Sequence, residues 1–71
     1  MDEKAKERLL LAGAAAWAQT FHRAAPADQS TLEAELEDAP DDVRTSVTSA
    51  LWSHSYDDFC QAVRRQLLKP V

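Results

Sequence analysis

Leu9-Leu10-Leu11-Ala12-Gly13-Ala14-Ala15-Ala16-Trp17-Ala18, continuing to Phe21, is the only long apolar segment of the chain. In water something must cover it. At about 100° per residue, Leu10, Ala14, Trp17 and Phe21 line one stripe of a helix, with Leu11 and Ala18 at its borders. The opposite side holds Leu9, Ala12 and Ala16, which are apolar too, whereas a helix packed on one side only carries charge on the other. Alanine is the best helix former and exposes little apolar surface. The expectation is therefore a central helix wrapped by the rest of the chain. Two alternatives are a seam between two copies, made by Leu9, Leu10, Leu11 and Trp17, and a helix held in a partner's groove.

At 71 residues the chain makes one domain, near the size at which a single core is marginal. Cys60 is its only cysteine, so no internal disulfide framework forms and nothing suggests a secreted scaffold. Asp2, Glu3 and Glu7 are wrong for the basic start of a signal peptide. The run from Leu9 to Ala18 is about half of what a membrane span requires. These features point to a cytoplasmic protein without a membrane segment.

The first helix is expected from about Glu3 to Ala24, with acids in its first turn, Arg23 in its last and Pro26 ending it. Gly13 inside it costs about 1 kcal/mol relative to alanine and marks a close helix crossing, with a hinge as the alternative. Ser30 and Glu33 have the spacing of a capping box, which predicts a short second helix over about Thr31 to Asp38 with Leu32 and Leu36 inward. Pro40, followed by Asp41 and Asp42, opens a third helix whose stripe is Val43, Val47, Ala50 and Leu51. Ser53-His54-Ser55 breaks the pattern, and Ser55 caps a fourth helix ahead of Asp57 and Asp58. Tyr56, Phe59, Cys60, Val63 and Leu67 share one face of that helix, and Lys69 and Pro70 close it. Short connections imply antiparallel or steeply crossed neighbours. The fold class is all-α, a compact bundle of about four helices.

The sequence carries no catalytic constellation. One glycine cannot build a phosphate loop. His22 and His54 stand far apart without ligand-spaced partners, and Asp57 and Asp58 beside His54 are more simply the acids of a helix start. Cys60 falls on an apolar face, where a free cysteine packs as a small hydrophobe rather than a nucleophile. His22 reads as a helix-end residue near the C-terminal dipole. No metal or cofactor is expected, and no enzyme activity. An acyl-carrier-like domain of similar size and acidity needs an Asp-Ser-Leu attachment site, which none of the serines supplies.

Charge is unevenly spread within the net −4. Residues 26–58 hold nine acids against Arg44 alone, while residues 59–71 hold Arg64, Arg65 and Lys69 and no acid. The main functional expectation is a small non-catalytic interaction or regulatory protein. It would bind another protein through an acidic band of Glu33, Glu35, Glu37, Asp38, Asp41 and Asp42, with Trp52 as anchor, and a sharper form is an inhibitor presenting an acidic surface to a basic groove. Trp52 lies about 180° from Val43, off the apolar stripe. Packing beneath the following turn is its more ordinary explanation, an exposed anchor the other. A helix-turn-helix nucleic-acid binder using Gln61, Arg64 and Arg65 is the second reading, opposed by net charge and by Asp57 and Asp58 at the reading end. A homodimeric structural module sealed through the first helix is the third.

Overall fold

The computed structural model describes residues 2–69. Four helices follow one another: α1 Glu3–Phe21, α2 Gln29–Glu37, α3 Asp41–Ser53 and α4 Tyr56–Leu67. No strand occurs among the described residues, and the chain is all-α. None of the helices is long and apolar enough to cross a membrane.

α1 is the element the others pack on, chiefly α3 and then α4. Its Leu10, Ala14 and Trp17 share one core with Leu32 and Leu36 of α2, Val43, Val47 and Ala50 of α3, Phe59, Ala62 and Val63 of α4, and Ala39. Trp17, only 1% exposed, stacks at a tilt on Phe21 with ring centroids 4.5 Å apart. Leu11 and Ala16 pack on the edge of this core, Leu9 is half-buried, and Ala12 faces solvent. Leu10 and Trp17 are thus consumed by the chain's own interior. They are not available for the self-association seam in which the sequence grouped them, and only Leu9 and Leu11 retain exposed surface.

Gly13 marks a close crossing. A methyl group there would stand 2.6 Å from the Ala50 Cβ and 2.8 Å from the Ser46 carbonyl oxygen. Glycine and alanine let the α1 and α3 backbones approach so closely that the Ser46 and Ala50 turn of α3 sits directly on α1.

Two boundaries and the placement of one side chain differ from the periodicity. α1 stops at Phe21 rather than Ala24, because His22 turns into the left-handed region (φ 51°, ψ 38°) while its N–H bonds the Ala18 carbonyl at 2.9 Å. Histidine is among the residues that enter this region most readily without being glycine. Arg23 therefore lies beyond the helix and does not serve its dipole. α2 begins two residues before the expected Thr31, because its cap is Asp28 and not Ser30. The Asp28 carboxylate accepts from both the backbone N–H and the hydroxyl of Thr31, each at 2.8 Å. A charged acceptor holding two donors outcompetes a serine hydroxyl. In α4, Leu67 was placed inward but is 39% exposed. It reaches past the core, over Ala15 and Ala18 of α1, whose short side chains cannot cover it.

Side chains from one helix hold each connection in place. The Tyr56 hydroxyl donates to the Pro26 carbonyl at 2.9 Å, and the buried Cys60 thiol points at the same oxygen from 3.6 Å, pinning the α1–α2 linker to α4. His54 bonds the Lys6 carbonyl through Nε2 at 2.8 Å, which ties the α3–α4 turn to the start of α1. A carbonyl only accepts, so Nε2 carries the proton. Ser55 caps α4 as the sequence indicated, accepting from the Asp58 N–H at 3.2 Å.

Candidate protein-binding groove

Trp52 is 87% exposed, the most exposed large apolar residue described. The inward stripe of α3 (Val43, Val47, Ala50) is directed at α1, which sends Trp52, half a turn away, to the outside. The ordinary explanation, burial under the next turn, fails because the chain leaves α3 at His54 to join α4 on α1. Nothing from that turn covers the indole.

On this outer side Arg44, Thr48 and Trp52 form a row at i, i+4 spacing along α3. Facing them on α2 stand Gln29, Glu33, Leu36 and Glu37. Between the two rows runs a groove. Its main hollow, about 450 Å³, is lined by Gln29, Glu33, Leu36, Thr48, Leu51 and Trp52. Smaller hollows of about 360 and 300 Å³ adjoin it, and all three share Thr48. Leu36 is almost buried and Leu51 half-buried, so the floor is apolar. α2 at 9 residues is about 13 Å long, enough for two to three turns of a partner helix laid alongside.

The acidic band does not act as one surface. Glu33 and Glu37 rim the groove. Glu35 points the other way, is half-buried, and is ion-paired with Arg23, fastening the linker to α2. Asp38, Asp41 and Asp42 are exposed at the α2–α3 corner, outside the groove lining. The clustered acids of Glu35, Glu37 and Asp38 sit at the unfavourable end of the α2 dipole.

Arg44 offsets that arrangement, a role the sequence reading did not give it. Its Nε donates to the Leu36 carbonyl at 3.1 Å and its Nη2 to the carbonyls of Glu37 and Ala39, each at 3.2 Å. Asp41 lies 3.8 Å from its Nη1. The five donors of a guanidinium suit such a helix end. The isolation of Arg44 among nine acids was the available signal. Arg44 keeps its positive charge on the groove wall, where Glu33 and Glu37 outnumber it two to one and leave the rim net acidic.

Two titrating groups lie away from the groove. The Thr31 backbone and hydroxyl bonds hold the Asp28 carboxyl below the usual carboxylate range. Burial of Tyr56, reinforced by the Cys60 thiol and the nearby Asp28 and Asp57, pushes its phenol well above the ordinary value. Among the described residues no group of three or more His, Cys, Asp or Glu is placed to hold a metal.

No family model, curated protein or solved structure matches this chain.

The surface proposed from sequence for nucleic acid has a different character. Arg65 shares a hollow between α1 and α4 with Glu3, Glu7 and Asp58, as well as Lys4, so the basic face of α4 is interleaved with acids there. His54 of the connecting turn is engaged with Lys6. The exposed Leu67 and Leu68 continue α4 beyond that hollow, next to Lys69.

Proposed function

We propose that this chain is a small, non-catalytic, cytoplasmic interaction protein that binds another protein in the groove between α2 and α3. The observation that carries the reading is the exposed Trp52 beside an apolar floor of Leu36 and Leu51, rimmed by Glu33 and Glu37. Tryptophan dominates binding energy where it is found at interfaces, and an apolar centre with a charged rim is the ordinary anatomy of such a surface. An exposed Trp contributes little to the fold of its own domain, which supports a role in contact with something else. An amphipathic helix with basic flanks matches the length, floor and charge of the groove. Binding there by a regulator or inhibitor would occlude a basic helical element of its target.

The test compares the immobilised wild-type chain with Trp52→Ala, with the pair Glu33→Lys and Glu37→Lys, and with Asp57→Lys as a control away from the groove. Each is exposed to cell lysate and the retained polypeptides are identified by mass spectrometry. A polypeptide held by the wild type and by the control, and released by both groove variants, is the expected result. Equal retention by all four proteins would overturn the reading.

A further inference from the structure

We infer that the groove also receives the C-terminal end of α4 from a second copy of this chain, so that copies associate head to tail. This rests on the reading of the groove as a docking site and names one occupant for it. Two exposed apolar patches stand out among the described residues. One is the exposed Trp52, beside the half-buried Leu51 and the buried Leu36 of the groove floor on the α2–α3 side. The other is Leu67 and Leu68, 39% and 82% exposed, at the end of α4.

The patches carry opposite charge. Glu33 and Glu37 outnumber Arg44 around the first, and Arg64, Arg65 and Lys69 surround the second in sequence. Arg64 and Lys69 are exposed. The last turns of α4 thus provide what the groove asks for: a helical segment with leucines at its tip and basic flanks. The Trp52 indole would meet Leu67 and Leu68, and Arg64 and Lys69 would meet Glu33 and Glu37.

The contact cannot form within one copy. α4 is fixed on α1 through Phe59, Ala62 and Val63, and its end borders a hollow with Ala15, Ala18 and Gln19 of α1 and with His22, sharing no lining residue with the groove. A donor surface and a different acceptor surface on each copy make a heterologous contact. Such contacts build rings or open chains rather than a two-fold dimer. Occupancy by a second copy then competes with a foreign partner, so that the free groove is available chiefly at low concentration.

The experiment measures mass in solution by sedimentation velocity across a concentration series, at low and high salt. The wild type, Trp52→Ala, Leu68→Glu and an equimolar mixture of the two variants are compared. Both sites are largely solvent-exposed, so both variants fold, and circular dichroism checks this. The wild type is expected to grow in mass with concentration and to shrink with salt. Each variant alone is expected to bind itself about thirtyfold more weakly or worse, the scale of a lost anchor residue.

The mixture decides the geometry. Leu68→Glu keeps its groove and Trp52→Ala keeps its α4 end, so together they should form a capped one-to-one pair that does not grow further. A wild type that stays monomeric at every concentration overturns this inference while leaving capture of a foreign polypeptide to decide the groove. Self-association that survives either substitution overturns it as well. Monomeric variants whose mixture fails to pair would refute the head-to-tail contact.

Discussion

Gly13→Ala is the substitution that most directly tests how the fold is built. In an isolated helix it would be favourable, by about 1 kcal/mol. Here the added methyl would lie 2.6 Å from the Ala50 Cβ and 2.8 Å from the Ser46 carbonyl oxygen. Neither neighbour can rotate away, since one is a Cβ and the other is backbone. Carbon atoms pack at about 3.5–4.0 Å, so α1 and α3 must part by about 1 Å at their crossing. Trp17, Val47 and Ala50, all buried at that seam, lose contacts with the displacement. Overpacking of this kind costs about 1–3 kcal/mol. With both neighbours immobile the upper half of that range applies, and after the helix-propensity gain the net loss is about 1–2 kcal/mol. For a domain of this size that lowers Tm by about 5–15 °C.

Thermal unfolding followed by circular dichroism at 222 nm measures it. Ala50→Gly provides the companion variant, since it removes the nearer of the two contacts. The double variant should cost less than the sum of the single changes, which is the signature of two groups in contact. A Gly13→Ala variant as stable as the wild type, or more so, would refute the close crossing, and with it the placement of α3 on α1.

Three further predictions concern other parts of the molecule. Trp17 is buried and Trp52 exposed, so Trp52→Phe should blue-shift the emission and remove most of the acrylamide quenching with little change in Tm; equal quenching of both variants, Trp17→Phe included, would contradict the packing. Tyr56→Phe removes the hydroxyl that holds the Pro26 carbonyl and should cost about 1 kcal/mol near neutral pH. Because the fold raises the Tyr56 pKa, its stabilisation is complete below the ordinary phenol value of about 10 and is lost as the pH climbs above it. Denaturant titrations of wild type and Tyr56→Phe should therefore converge in alkali, and a gap that is constant with pH would argue against a buried phenol. Asp28 has the opposite sign: its pKa is depressed, so its contribution is present above the ordinary carboxylate range and disappears as the pH falls through its own value. Asp28→Ala should lower Tm at neutral pH and match the wild type in strong acid, where a persisting difference would deny the cap.

Much of the architecture was readable because it depends on local spacing. The period of Leu10, Ala14 and Trp17, the Pro40-Asp41-Asp42 start and the Ser55 cap are each encoded within a few residues. The four helices and the all-α class follow from them. Gly13 could be read as a crossing because a glycine in so apolar a helix has few other uses. The errors arose where two elements compete for one residue. The capping box at Ser30 and Glu33 was a legitimate local pattern, yet Asp28 binds two groups of Thr31 and takes the cap. Arg23 fitted the last turn of α1, but the chain leaves that helix at His22, and Arg23 pairs instead with Glu35 of α2.

The candidate site divides in the same way. Sequence alone determined its ingredients: an acidic middle of the chain, a Trp half a turn from its helix's core stripe, and a basic end with apolar residues. These are properties of order and composition, and no packing changes them. Only the tertiary structure decided which acids border the indole, leaving Glu33 and Glu37 there while Glu35 is committed to Arg23 and Asp38, Asp41 and Asp42 lie at the corner. It likewise decided that Trp52 stays uncovered, because α4 packs along α1 and α2 is too short to close over the outer face of α3. Local periodicity specifies which way a side chain points around its own helix. Whether another helix lies there depends on the crossing set by Gly13, Ser46 and Ala50, which are distant in sequence and meet only when the chain is folded.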